Sequence, residues 1–396
     1  MKTYCKRIDI GDPAVILPWV YQAFDKKWKK QGFVHLLEKY GGITRAELEQ
    51  EIAAQEMHRR NAAVEKVAEE VARRIRSGEL DLIPMRKHYK CDELSGKTRE
   101  LIKESPMQQI LDYVAVNALM PLFMAKLSPH QCACIRNRGQ SYGKRFLEHW
   151  IRRDRKARHV RKGDVKKCYA HISRPTVLRL LGRDIHKNKL LLWLVDQLLR
   201  MHEAIVTGLA IGSYLSAWLC NYVLSYLFRY ANGLTKIRRR RGGGATEIRL
   251  VRHVLFYADD FVLIGARAAD VEKAMKLTAE YAEKELGLEI HENWDRIDLK
   301  YGHVDMMGFV VNYHRTTIRR RIFRRLRRQY LRAGRELATL GYVPHWRARK
   351  ICSYKGYFDH TDTKIGAERL NACVINKAAA RSVSYADARR KERTAA

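Results

Sequence analysis

The chain has 396 residues, enough for roughly two or three domains, and 46% of them are hydrophobic, which excludes a disordered chain and supplies a sizeable core. Lys and Arg number 77 against 43 Asp and Glu, a net charge of +34. Residues 315–350 alone hold 13 basic residues against one acid, Glu336, so the excess is clustered, which excludes a charge spread only for solubility and points to a polyanionic partner.

Residues 1–43 are mixed and rich in aromatics, without the apolar stretch of a secretory signal. Thr44 and Glu47 have capping-box spacing and predict a helix that runs to about Arg76 and stops at Ser77 and Gly78. Residues 1–78 are therefore expected to form an N-terminal helical extension. Pro84, Gly96 and Pro106 punctuate the next stretch, which reads as short strands around a basic turn with Arg86, Lys87, Lys90, Lys97 and Arg99. Ile110, Val114, Ala115, Ala118 and Leu119 predict a buried helix over 107–127.

A short strand is expected to end near Asp164. Ser173 then caps a helix with Pro175 in its first turn and Gly182 after its end. A long apolar helical region follows over 188–228. Its charge-free part, 204–228, is long enough for a bilayer. Gly208, Gly212, Ser213, Ser216 and Asn221, with basic flanks, instead predict a buried helix preceded by a glycine turn. No membrane segment is expected.

Strands are predicted over 249–257 and 261–264 around a tight turn at 258–260. Asp270 starts an amphipathic helix that ends at Gly287, and a strand follows near 288–290. The order β-α-α-β-β-α-β is that of a split-βαβ, ferredoxin-like unit, so the fold class is α+β. Residues 238–244 form a basic, glycine-rich loop, which suits either a surface insertion or a loop that orders on nucleic acid. The eight cysteines form no C-x-x-C pair and read as free thiols of a reducing, cytoplasmic setting, without a zinc site.

The most informative segment is Phe256-Tyr257-Ala258-Asp259-Asp260-Phe261. Two adjacent acids between two apolar strands call for a cation, and oxygen ligands select a hard divalent ion, Mg²⁺ or Mn²⁺. In the βαβ layout the strand ending at Asp164 lies beside this hairpin. Carboxylates on neighbouring strands can hold two metals about 3.5–4 Å apart, one acting on a 3′-hydroxyl and the other on a triphosphate.

At these residues the chain resembles reverse transcriptases, and the resemblance runs in order over most of residues 84–365. Tyr257, Ala258, Asp259 and Asp260 look like the catalytic signature. Asp164 to Tyr169 resembles the first palm motif. Ser95, Gly96, Lys97 and Arg99 resemble the fingers motif that grips the incoming triphosphate, and Arg138 to Gly143 the segment before the palm in group II intron-like enzymes. Gly208 to Asn221 resembles the template- and nucleotide-facing motif, Val304 to Phe309 the primer grip, and Ser353 to His360 a thumb motif. The resemblance implies a right-hand polymerase fold, with fingers over 79–160, palm over 161–312, and thumb with a basic tail over 313–396. It implies Asp164, Asp259 and Asp260 as catalytic residues, with the Val165 carbonyl beside them as metal ligands. Lys97, Arg99, Tyr169 and Gly212 are expected on the nucleotide. Tyr257, Gly208, Ser216, Gly308, Arg320, Arg324 and Arg328 are expected on template and primer.

Physical reasons accompany these assignments. An aromatic ring at Tyr169, five residues past Asp164, would block a ribose 2′-hydroxyl and favour deoxynucleotides. Glycines at 208 and 212 let backbone approach a base pair closely. Arg319, Arg320, Arg321, Arg324, Arg325, Arg327, Arg328 and Arg332 have helical spacing suited to tracking phosphates of a template–primer duplex. Two departures stand out: Ala210 and Ala217 replace the Pro and Gln usual in the second palm motif, and Trp294 lies where a Lys is common. The intact carboxylates predict an active RNA-directed DNA polymerase rather than a vestigial, RNA-binding maturase, and Tyr169 argues against an RNA-dependent RNA polymerase. No endonuclease or ribonuclease H signature follows the thumb. The expected type is a compact bacterial enzyme, either of a diversity-generating retroelement or of a phage-defence system. Its partners would be template RNA, nascent DNA and dNTPs, with a dedicated non-coding RNA or a small accessory protein.

Overall fold

The computed structural model describes residues 3–91, 98–239 and 243–395, with side chains as far as residue 389. Helix α1 spans Pro13–Phe24 and α2 Gln31–Leu36, followed by a π-helical turn over Leu37–Gly41; α3 spans Arg45–Ala54 and α4 His58–Ser77. Strands β1 (Arg86–Cys91) and β2 (Thr98–Lys103) precede α5 (Pro106–Lys126), the two-residue β3 (Gln131–Cys132) and α6 (Gln140–Arg153). Strand β4 (His159–Asp164) leads into α7 (Cys168–His171), α8 (Arg174–Asp184), α9 (Lys189–Glu203) and α10 (Tyr214–Gly233). Then come β5 (Thr235–Arg239), β6 (Ala245–Arg249), β7 (His253–Tyr257), β8 (Asp260–Gly265) and α11 (Ala268–Leu286). The chain ends with β9 (Asp295–Asp298), β10 (Val304–Met306), β11 (Phe309–Val311), β12 (Thr316–Ile318), α12 (Arg320–Leu340), α13 (His345–Asp359), α14 (Lys364–Arg369) and α15 (Ala372–Ala395).

Two compact units share the chain. The first comprises residues 1–135, 164–233 and 276–293, and the second 136–163, 234–275 and 294–396.

In the first unit, α1 packs on α4 and α5, and α5 on α9 and α10. Ile16, Val20, Val64, Val67, Val71, Ile110 and Val114 are fully buried, as the apolar spacing requires. The Thr44–Glu47 capping box forms, but the predicted helix to Arg76 is two helices. Gln55 turns left-handed at φ 59° and ends α3, and Gly78 ends α4 at φ 77°. Ser173 caps α8 with Pro175 in its first turn, yet Gly182 lies inside the last turn rather than after it. The predicted apolar helix over 188–228 is split by a turn over 204–213, where Gly208 and Gly212 have φ of 72° and 113°. Near 288–290, an isolated bridge between Val165 and Ile290 takes the place of the expected strand.

In the second unit the strands lie in the order β7-β8-β4-β9. β7 pairs antiparallel with β8 from His253↔Ile264 to Tyr257↔Asp260, and β4 pairs antiparallel with β9. Phe256 and Phe261 stack at 4.8 Å and are buried, which fixes which face of the hairpin is core. β5 and β6 pair as a hairpin, so the basic loop at 238–244 is in part strand; residues 240–242 lie outside the described chain. The β10-β11-β12 sheet leads into α12–α15, whose core is Ile322, Leu326, Tyr330, Ile351 and Ile375. The expected basic tail is thus largely helical. Among the described residues, no helix is long and apolar enough to cross a membrane.

Candidate active site

The hairpin of β7 and β8 is closed by two residues, Ala258 and Asp259, with Ala258 at φ 52°. A positive φ at the first central position matches the twist of paired strands, but in a non-glycine residue it is strained, a cost of about 1–3 kcal/mol. The turn leaves Asp259 exposed and Asp260 half-buried. Burial raises the Asp260 carboxyl above its ordinary range, Lys162 opposes that rise, and the neighbouring Asp259 charge adds to it. Lys162, in β4, stands 3.9 Å from Asp260 and 3.8 Å from Asp295. A Cβ on Gly163 would fall 2.7 Å from the Phe261 ring and 2.3 Å from the Met275 methyl, so the end of β4 is pressed against the start of β8.

Asp164 closes β4. Within the first unit its carbonyl accepts from the His291 N–H at 3.0 Å, and its carboxylate lies 3.6 Å from His291 Nε2. Lys166 donates to the Glu289 carbonyl and pairs with the Glu289 carboxylate, completing the bridge on which Val165 is held. Val165's own carbonyl takes no part in those two bonds. Tyr169, in α7, is half-buried. Its carbonyl accepts from the Leu209 N–H at 2.8 Å, and a Cβ on Gly208 would meet that carbonyl at 2.5 Å. Only glycine fits there. Ile102 of β2 donates to the Ile211 carbonyl at 2.9 Å, and a Cβ on Gly212 would meet the Ile102 carbonyl at 2.8 Å. The turn thus joins the first palm segment to β2, which also carries Arg99. Arg99 is exposed and pairs with Lys90 across the hairpin; Lys97 lies outside the described residues.

Ser216, expected on template and primer, lies at the start of α10. Its side chain is fully buried, with Oγ 3.4 Å from His202 Nδ1. Ala210, also fully buried, packs with Met85 and Ile102.

In the second unit, Met307 and Gly308 make the two-residue turn between β10 and β11, with φ of 57° and 84°. The Gly308 carbonyl accepts from the Arg319 N–H at 2.9 Å, and Arg319 also pairs with Asp305 at 2.5 Å. Helix α12 is therefore fastened to this hairpin at its first turn. Ile322, Leu326, Tyr330 and Ala333 form its buried stripe, leaving Arg320, Arg324 and Arg328 exposed, one turn apart.

The carboxylates offer only hard oxygen donors, the chemistry Mg²⁺ and Mn²⁺ take. Among the described residues no three His, Cys, Asp or Glu side chains already converge as a closed metal site. An open site completed by substrate oxygens has the same donor chemistry.

Motif reasoning passes over Lys162 beside Asp260 in the second unit and, in the first, the buried acids Glu104 and Asp112. A signal for the last existed: one carboxylate in the otherwise apolar run of α5.

A family model described as reverse transcriptase (RNA-dependent DNA polymerase) matches residues 90–310, more than half of the chain. The chain belongs to that family, and its activity is that of an RNA-directed DNA polymerase, a nucleotidyltransferase with the fingers, palm and thumb of that fold. No curated protein matches it.

Proposed function

We propose that this enzyme extends a DNA 3′-hydroxyl with dNTPs on an RNA template in the bacterial cytoplasm, with Asp164, Asp259 and Asp260 as its catalytic carboxylates. The observation that carries this reading is the Tyr257–Asp260 hairpin. Its strained turn holds two adjacent acids, and Asp260 lies 3.9 Å from Lys162, two residues before Asp164 on β4.

The three carboxylates and the Val165 carbonyl would hold two divalent ions, Mg²⁺ or in its place Mn²⁺. Bound there, such ions lower the pKa of a 3′-hydroxyl and offset charge on the triphosphate and the leaving pyrophosphate. The protein's own part is placement. The hairpin register sets Asp259 and Asp260, and the end of β4 sets Asp164, each in or beside a paired strand rather than on a free loop. Arg99, with Lys97, binds triphosphate oxygens as a charge-assisted donor. Tyr169 fills the space a 2′-hydroxyl would need. Gly208 and Gly212 seat the nascent base pair against backbone, Tyr257 and Gly308 support the primer end, and Arg320, Arg324 and Arg328 follow duplex phosphates. Residues 1–78 serve as an extension, 79–160 as fingers, 161–312 as palm and 313–396 as thumb. The compact thumb and the departures at Ala210 and Ala217 favour a specialised bacterial enzyme. It would belong to a diversity-generating retroelement or an anti-phage system and work with a dedicated RNA or a small accessory protein.

The test is nucleotide choice. Tyr169→Val should lower the preference for dNTP over NTP about tenfold or more in kcat/KM, with dNTP addition retained. Unchanged discrimination would remove Tyr169 from the nucleotide site.

A further inference from the structure

Behind the glycine turn of the first unit lies a buried polar cluster that the proposed chemistry does not use. Asp112, on α5, is fully buried. Its Oδ2 accepts from Ser213 Oγ at 2.7 Å and from the Leu215 N–H at 3.0 Å, which caps the start of α10. Ser213 Oγ in turn accepts from the Ser216 N–H at 3.1 Å. Glu104, one residue past β2, is buried beside Asp112 and Ser213 and within hydrogen-bond reach of both. His202 of α9 is fully buried, 3.5 Å from Glu104 through Nε2 and 3.4 Å from Ser216 through Nδ1. Lys27, after α1, also faces the two acids, but it donates to Gln109 at 3.0 Å and burial lowers its basicity.

The oxygens do not balance as two carboxylates. Asp112 Oδ1 and Glu104 Oε1 are both buried without a hydrogen bond, and Glu104 Oε1 faces His202 Nε2, at 3.5 Å and itself without one, which leaves Asp112 Oδ1 unmatched. Two neighbouring anions in a buried site repel each other, and each acceptor left unmatched costs about 1–3 kcal/mol. One proton shared by the acids supplies the missing donor. The cluster then braces the end of the turn at Ser213 and Leu215, the Ile102–Ile211 bond holds its middle to β2, and the Leu209–Tyr169 bond holds its start.

We propose that Asp112 is a positioning residue for nucleotide addition, acting with Glu104 through a shared proton to hold the turn at residues 208–216 where the incoming nucleotide is seated. The inference rests on the nucleotide-facing reading of Gly212. Burial, with the Glu104 charge second, pushes Asp112 up to about 8, and burial pushes Glu104 to about 7. The proton is therefore held at neutral pH and lost as pH rises through that range, after which the braced turn carries uncompensated charge.

The experiment is single-nucleotide addition to a primed RNA template, with KM for dNTP and kcat measured separately between about pH 6.5 and 9. Asp112→Ala should raise KM about tenfold or more with a smaller change in kcat. Asp112→Asn keeps an acceptor for Ser213 and Leu215 and gives Glu104 a permanent donor. It should stay within about threefold of wild type at pH 7. Wild-type KM should climb above about pH 8 while that of Asp112→Asn stays flat. Parallel pH profiles for wild type and Asp112→Asn would overturn the shared proton, and this comparison stands even if Asp112→Ala fails to fold. An unchanged KM in folded Asp112→Ala would overturn the positioning role. Gly212→Ala separates the two ideas: if it leaves KM for dNTP unchanged, the nucleotide-facing reading of the turn fails, whatever the Asp112 variants do.

Discussion

At the residue scale, the proposed catalytic acids Asp259 and Asp260 sit at a strained turn. Ala258 at φ 52° holds Asp259 and Asp260 in a geometry that a relaxed loop would not keep. Asp259→Asn keeps the size and shape of the side chain and removes its charge. We expect it to reduce primer extension by about a thousandfold or more with RNA affinity retained, as measured by extension and by filter binding. The adjacent acids were readable in the sequence because they are neighbours within one hydrophobic hairpin. Asp164 was readable because a strand ends on it. The Glu104, Asp112 and His202 cluster was not, since its members are scattered over nearly a hundred residues and their meaning comes from burial.

At the element scale, helices and hairpins were legible where apolar period and caps agree, as at α5, α8, α11 and the β7–β8 pair. Boundaries failed where a single backbone conformation decided them. Gln55 breaks α3 from α4 in a stretch whose composition favours helix throughout, and Gly182 continues α8 because its caps lie elsewhere. A second anchor of this unit is Asp184, at the end of α8, which accepts from Lys126, Tyr222 and Tyr226, each at 2.7 Å. Burial alone would raise its carboxyl, but these three donors hold it below its ordinary value. A depressed carboxyl contributes stability that is present above the unfolded pKa, about 3.9, and is lost as pH falls through the folded value. Asp184→Ala should destabilise the fold by about 2 kcal/mol near pH 7, because it strands a half-buried ammonium and two phenols. The stability gap to wild type, read from urea unfolding, should narrow as pH drops below about 4.

At the scale of the whole molecule, the charge has a direction. Basic residues concentrate on α12, whose exposed arginines oppose a buried apolar stripe, and the helix is fastened to the β10–β11 hairpin through Arg319. The net charge of +34 was visible from composition, and its role in binding a polyanion needed only that clustering. The replacement of Arg324 and Arg328 by Ala together should lower the slope of log affinity against log salt for a primed duplex by about one to two, with little effect on melting temperature. An unchanged slope would mean that this face of α12 does not meet phosphate. The most direct measurement of the central claim is primer extension on an RNA template with Mg²⁺, comparing dNTPs with NTPs and wild type with the double variant Asp259→Ala and Asp260→Ala. The account predicts DNA product from dNTPs in the wild type and none in the double variant. Equal product from both proteins, or RNA product in preference to DNA, would contradict it.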